Sequence, residues 1–141
     1  MRIPVEPTSF VTYPKGETMW HVLYYESAEG ECPVKEFIDS NRERNQAKAL
    51  AAIAALEERG PNLPRPYADL LKDGIHELRV KLSGNQDRIL YFFCYRDFIV
   101  LTNVLRKNTA KVPEADIRKA KRCRDDFLAR MDEEKLRELV K

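Results

Sequence analysis

Ile75 to Leu105 reads IHELRVKLSGNQDRILYFFCYRDFIVLTNVL, and this stretch decides the fold class. Between Ile75 and Leu82, Leu78, Val80 and Leu82 fall on one face and Glu77, Arg79 and Lys81 on the other. A period of two marks a strand with one buried face. Gly84-Asn85 then supplies a turn. Arg88 to Tyr95 and Phe98 to Leu105 are almost wholly apolar, rich in branched and aromatic residues, and separated by Arg96-Asp97. That pattern predicts a central antiparallel hairpin.

Working outward, Trp20 to Tyr25 (WHVLYY) predicts a further strand. A polar turn with Gly30 follows, and Pro33 suits the first turn of a short helix carrying Val34, Phe37 and Ile38. Asn41 to Arg59 is Ala-rich, places Leu50, Ile53 and Leu56 on one stripe and ends at Gly60-Pro61, which predicts a second helix. The two helices read as a helical hairpin. Pro61, Pro64 and Pro66 hold the next segment as a loop. After Pro113, Ile117, Ala120, Cys123, Phe127 and Met131 form the stripe of a last helix, whose other faces carry Arg118, Lys119, Lys121, Arg122 and Arg124. The expected architecture is α+β: a small four-stranded antiparallel sheet with an N-terminal helical hairpin and a C-terminal helix, the helices packed on one face. Residues 1–18 read as an N-terminal extension, 19–130 as the domain and 131–141 as a C-terminal helical extension.

At 141 residues and 43% hydrophobic, the chain is too apolar for a disordered protein and long enough for one modest core. No uncharged apolar run approaches the roughly 18 residues of a membrane span, and Met1 to Glu6 lacks an apolar signal segment. A soluble cytoplasmic protein is expected. Cys32, Cys94 and Cys123 are far apart without a CxxC pair, which argues for small buried side chains over a zinc site or disulfide framework. P-loop, GxGxxG, GxSxG and HExxH patterns are absent, so no cofactor and no metal are expected.

The net charge of +2 hides an uneven distribution. Lys72 to Arg124 holds 13 basic and 6 acidic residues, while the remainder holds 12 and 17. Such separation suits an anionic partner such as nucleic acid, with a solvated charged face as the plain alternative. Arg79 and Lys81 share the polar face of one strand, Arg88 opens the next, and Arg106, Lys107 and Lys111 follow the last. In an antiparallel meander the start of the Arg88 strand lies near the end of the Phe98 to Leu105 strand. Arg88 and Lys107 can therefore meet at one sheet edge, with Arg79 reaching in. Taken singly, Arg79 is expected to pair with Glu77 or another acid.

Gathered cations have a chemical use. When an RNA 2′-hydroxyl attacks the adjacent phosphate, fixed Arg and Lys groups stabilise the added negative charge without a metal. A lysine crowded by other cations has a lowered pKa and can accept the proton, which makes Lys107 a candidate for both roles. His76 shares strand parity with Leu78 and is a partly buried strand-end histidine by default, and a candidate proton carrier.

These residues resemble a known family. His76-Glu77-Leu78-Arg79, the run RILYFF from Arg88, Ile99-Val100-Leu101, Arg106-Lys107-Asn108-Thr109, Lys111-Val112-Pro113, Asp116-Ile117 and Ala120 resemble the phage-derived HigB-like branch of the RelE/ParE toxin superfamily. Gly30, Cys32-Pro33-Val34 and Glu36-Phe37-Ile38 are similar as well, and the likeness spans Met19 to Leu128. It implies the toxin of a type II toxin–antitoxin pair, a metal-independent endoribonuclease that cleaves mRNA on the ribosome and blocks translation. A HigA-like helix-turn-helix antitoxin is the implied partner. Arg79, Arg88 and Lys107 stand at the implied catalytic positions, and Lys81, Arg106 and Lys111 at RNA-backbone positions. The sequence departs from the pattern in places: Asn103-Val104-Leu105 replaces a His-Gly-Phe-like stretch, His76 replaces an aromatic residue, the terminal helix continues past Leu128 with an acidic Asp132 to Lys141, and residues precede Met19. The alternatives are a non-enzymatic ParE-like inhibitor of DNA gyrase and a non-catalytic nucleic-acid-binding regulator.

Overall fold

The computed structural model describes residues 20–106 and 111–140. Strand β1 (His21–Tyr24) leads into helices α1 (Pro33–Asp39) and α2 (Glu43–Arg59). Strands β2 (Ala68–Lys72), β3 (Ile75–Leu82), β4 (Asn85–Cys94) and β5 (Phe98–Leu105) follow, then helices α3 (Glu114–Arg130) and α4 (Glu133–Leu139). All the strands form one sheet in the order β1-β5-β4-β3-β2.

This corrects the expected architecture. The sheet has five strands and is mixed, because β1 runs parallel to β5 while the other pairs are antiparallel. The additional strand, β2, arises in the segment read as a proline-held loop. Its sequence, Ala-Asp-Leu-Leu-Lys, is poor in β-formers, yet it pairs with β3 and forms the sheet edge. Nor do α1 and α2 form an N-terminal hairpin. They follow β1 as a crossover to the far edge of the sheet, and each lays its apolar stripe on that sheet.

Helices cover both faces, where one was expected. Ile89 and Tyr91 of β4 pack with α1 and α2, through Val34, Phe37, Ile38, Ala49, Ile53 and Leu56. Leu90 and Phe92 of the same strand pack with α3 and α4, through Ile117, Ala120, Phe127 and Leu136. A strand apolar on both sides requires a cover on both sides. Burying one such Leu, Ile or Phe contributes about 1.5–3 kcal/mol, so these two layers supply most of the driving force.

The stop of α2 is local. Gly60 takes φ +54 at its C-cap, and the indole of Trp20 lies where a Cβ would stand. On the opposite face of the sheet, α4 is anchored: Leu136 is buried, and Arg137 donates to both Asp97 carboxylate oxygens at 2.7 and 2.9 Å. Among the described residues no helix is long and apolar enough to cross a membrane.

Candidate phosphate site

The strand register brings three charged side chains together on the α3 side of the sheet. Arg79 of β3 lies directly opposite Arg88 of β4, and Glu77, two residues before Arg79, lies opposite Leu90. Like charges opposite one another on a sheet repel. Glu77 offsets that repulsion by serving both arginines. Its Oε2 accepts from Arg79 Nη2 at 2.9 Å and Nε at 3.3 Å, while its Oε1 stands 2.9 Å from Arg88 Nε. The latter is a close ion pair in which the N–H is not aligned on the oxygen. On the edge strand, Asp69 adds a weaker contact, 3.8 Å from Arg79 Nη2, and is itself held by Arg65 Nε at 3.1 Å.

Burial separates the two arginines. The Arg88 side chain is 6% exposed and that of Glu77 4%, whereas Arg79 retains 28%. Charges this buried are tolerated only when paired. Arg79 is therefore the member of the pair with surface to offer a ligand. Arg88 fixes Glu77 and contributes its charge from beneath. Glu77 is the functional group that the sequence reading left in the background, as a partner of Arg79. Its alternation with Ile75 and Arg79 signalled the shared face, but its burial follows only from the folded sheet.

The remaining candidates divide. Lys81 is exposed on the Arg79 face, one strand repeat further along. Arg106 departs to the opposite side, where its guanidinium lies 5.0 Å from the centroid of Phe37 and reaches Ser40 Oγ at 3.4 Å. Lys111 is exposed. Lys107 lies outside the described residues, two positions after Leu105, the register partner of Arg88.

His76 occupies the other face. It stacks on Tyr91 with ring centroids 5.2 Å apart, meets Phe93 edge-on at 4.9 Å, and lines a hollow of about 270 Å³ with Leu63 and Leu70. Burial holds its pKa below the usual histidine range, opposed by the charge of Asp69. The sheet therefore stands between its imidazole and the arginine pair.

Asn103 and Thr102 are also accounted for. A bulge sets both opposite Leu90, since Ile89 pairs with Val104 and Tyr91 with Leu101. The Thr102 hydroxyl is 3.1 Å from the Leu90 carbonyl oxygen and 2.7 Å from Asn103 Oδ1. Asn103 Nδ2 donates to the Asp116 carbonyl at 3.3 Å, tying the bulge to the start of α3. A bulge shifts strand parity, and this one turns Leu105 toward the α3 side, where Arg88 also lies.

Residues 36–125 match the family model of phage-derived Gp49-like proteins. The chain belongs to that family. Gp49-like proteins form a RelE-like, toxin-like family, and the match includes Glu77, Arg79, Arg88 and the bulge. The search of curated proteins found no match for this Gp49-like chain. Strand β1 and helix α4 lie on either side of the matched span, yet both pack on its core.

Proposed function

We propose that this Gp49-like protein is the toxin of a type II toxin–antitoxin pair and acts as an mRNA endonuclease on the ribosome, within the HigB-like branch that its sequence resembles. The observation that carries the reading is the Arg79–Glu77–Arg88 arrangement: a guanidinium with free surface, preorganised by a buried carboxylate that a second guanidinium holds. Fixed donors of this kind stabilise charge that develops on a phosphate, without rearranging at the moment of reaction.

In the proposed step the ribose 2′-oxygen attacks the adjacent phosphorus and the bond from phosphorus to O5′ breaks. The products are a 2′,3′-cyclic phosphate and a 5′-hydroxyl end. The 2′-proton passes to a base and a proton reaches the departing O5′. Arg79 contacts the non-bridging oxygens, Arg88 adds positive potential from below, and Lys107 completes the set by its place in the sequence. Lys81 and Lys111 are assigned to the RNA backbone. His76, on the far face, is not assigned a proton-transfer role. A HigA-like antitoxin is the proposed protein partner.

Induction in cells tests this reading. Wild-type protein is expected to arrest growth and cut mRNA, while Arg79→Ala relieves the arrest and still binds antitoxin. Intact mRNA together with gyrase-dependent DNA breaks would replace it with the ParE-like inhibitor.

A further inference from the structure

The cations of α3 fall into two groups that the sequence does not separate. Lys121 Nζ pairs with Asp73 Oδ2 at 2.8 Å, and Arg124 Nη1 donates to the Asp73 carbonyl at 2.6 Å, so both are fastened to the β2–β3 turn. Arg118, Lys119 and Arg122 are exposed and engage no acid among the described residues. Three of the helix's four acids are drawn elsewhere: Glu114 to Lys72 at 3.4 Å, Asp125 to Arg124 at 3.6 Å, and Asp126 to Arg130 at 2.6 Å. Among the described residues Arg118, Lys119 and Arg122 form a cationic stripe with no ion-pair partner, opposite the face that buries Ile117, Ala120, Cys123 and Phe127.

We infer that this stripe is a docking surface for the phosphate backbone of double-helical RNA, separate from the arginine pair. Arg118 and Arg122 are one turn apart, about 6 Å along a rigid helix, and present a regular convex ridge. Single strands are held by aromatic platforms that stack their bases. The one aromatic residue of α3, Phe127, is buried in the core, so the ridge offers charge without stacking. Charge on a rigid convex element suits duplex RNA, which is recognised through shape and backbone. The inference deepens the endonuclease reading by giving the enzyme a hold on structured RNA beyond the cleaved strand, and it rests on that reading for its biological role alone.

Fluorescence anisotropy with an RNA duplex of roughly 16 base pairs and a single strand of equal length tests it, across a salt titration. The variant R118A/K119A/R122A is expected to lose duplex affinity by roughly tenfold or more near 50 mM salt, and its log–log salt slope to shrink by about two to three, since each phosphate contact contributes close to one. R118Q/K119Q/R122Q, which keeps the side-chain length, is expected to behave alike, and circular dichroism to match wild type for both. Single-strand binding and Arg79-dependent cleavage are expected to stay unchanged. An unaltered slope, a parallel loss for the single strand, or no duplex binding by wild type at low salt would overturn the assignment. Failure of the endonuclease reading shows differently: wild type leaves ribosome-bound mRNA intact while the duplex titration still responds to the stripe.

Discussion

Arg88 holds its Nε 2.9 Å from Oε1 of Glu77, and both side chains are almost completely removed from solvent. The same carboxylate uses its other oxygen on Arg79, so one acid positions two bases. Removing one member of a buried ion pair typically costs about 3–5 kcal/mol, because the remaining charge is left without compensation. Glu77→Ala and Arg88→Ala are each expected to lose stability on that scale in urea unfolding. Arg79→Ala is expected to lose less, since its side chain is more exposed and Arg88 still serves Glu77. Equal losses at Arg79 and Arg88 would show that the burial difference carries no weight.

Glu77→Gln separates charge from shape. It keeps a side-chain carbonyl for Arg79 and raises the summed charge of the three groups from +1 to +2. Anisotropy with a short RNA is expected to show tighter binding at low salt and a steeper salt dependence. Cleavage is expected to fall despite this, because the guanidinium of Arg79 is no longer held by a charged acceptor. Faster cleavage by the variant would show that Glu77 restrains the site and does not organise it.

His76 gives a pH dependence. Its folded-state pKa lies below the ordinary value of about 6.5, so the unfolded chain binds the proton more readily. Its contribution is fully present above about pH 6.5 and is lost as pH falls through the unfolded value toward the folded one. Thermal unfolding is expected to show declining stability between about pH 7 and 5, and His76→Phe to flatten that decline. An unchanged slope in the variant would remove His76 as the cause.

Helix α4 predicts a second, more acidic transition. Arg137 donates to Asp97 and to the Tyr95 carbonyl at 3.0 Å, and lies 4.9 Å from the Phe98 ring centroid. It thereby clamps the β4–β5 turn, where Tyr95 and Arg96 both have positive φ. Hydrogen bonding from Arg137 holds the Asp97 carboxyl below the usual range, so this contact stabilises above the ordinary carboxylate pKa and is lost as pH falls through the folded value. Arg137→Ala is expected to lower the unfolding temperature at neutral pH and to reduce its dependence on acid. Hydrogen exchange should quicken first at Tyr95–Phe98; protection there equal to wild type would contradict the clamp.

Much of this fold was legible because its signals were local. Period two in β3, the unbroken apolar runs of β4 and β5, and Pro33 and Gly60 at helix ends each report on a few neighbouring residues. The errors were non-local. Ala68–Lys72 has little intrinsic strand preference and becomes β2 by pairing with β3. The parallel direction of β1 depends on where the crossover lands, which no window of sequence records. At the site, the shared face of Arg79 and Lys81 was readable from alternation, whereas the pairing of Arg79 with Arg88 required the register. Arg106 directly follows β5 but turns to Phe37, an aromatic partner contributed by α1 nearly seventy positions earlier.

Purified protein added to ribosomes programmed with a defined mRNA tests the central claim most directly, by mapping new 5′ ends and the chemistry of the matching 3′ ends. Wild type is expected to leave 5′-hydroxyl and 2′,3′-cyclic phosphate ends in the codon being read, with chelator present as well as absent. Arg79→Ala is expected to slow the single-turnover rate by about 10²–10³-fold, the typical effect of removing one preorganised donor. Intact message with wild type, or cleavage by Arg79→Ala at the wild-type rate, would contradict the account.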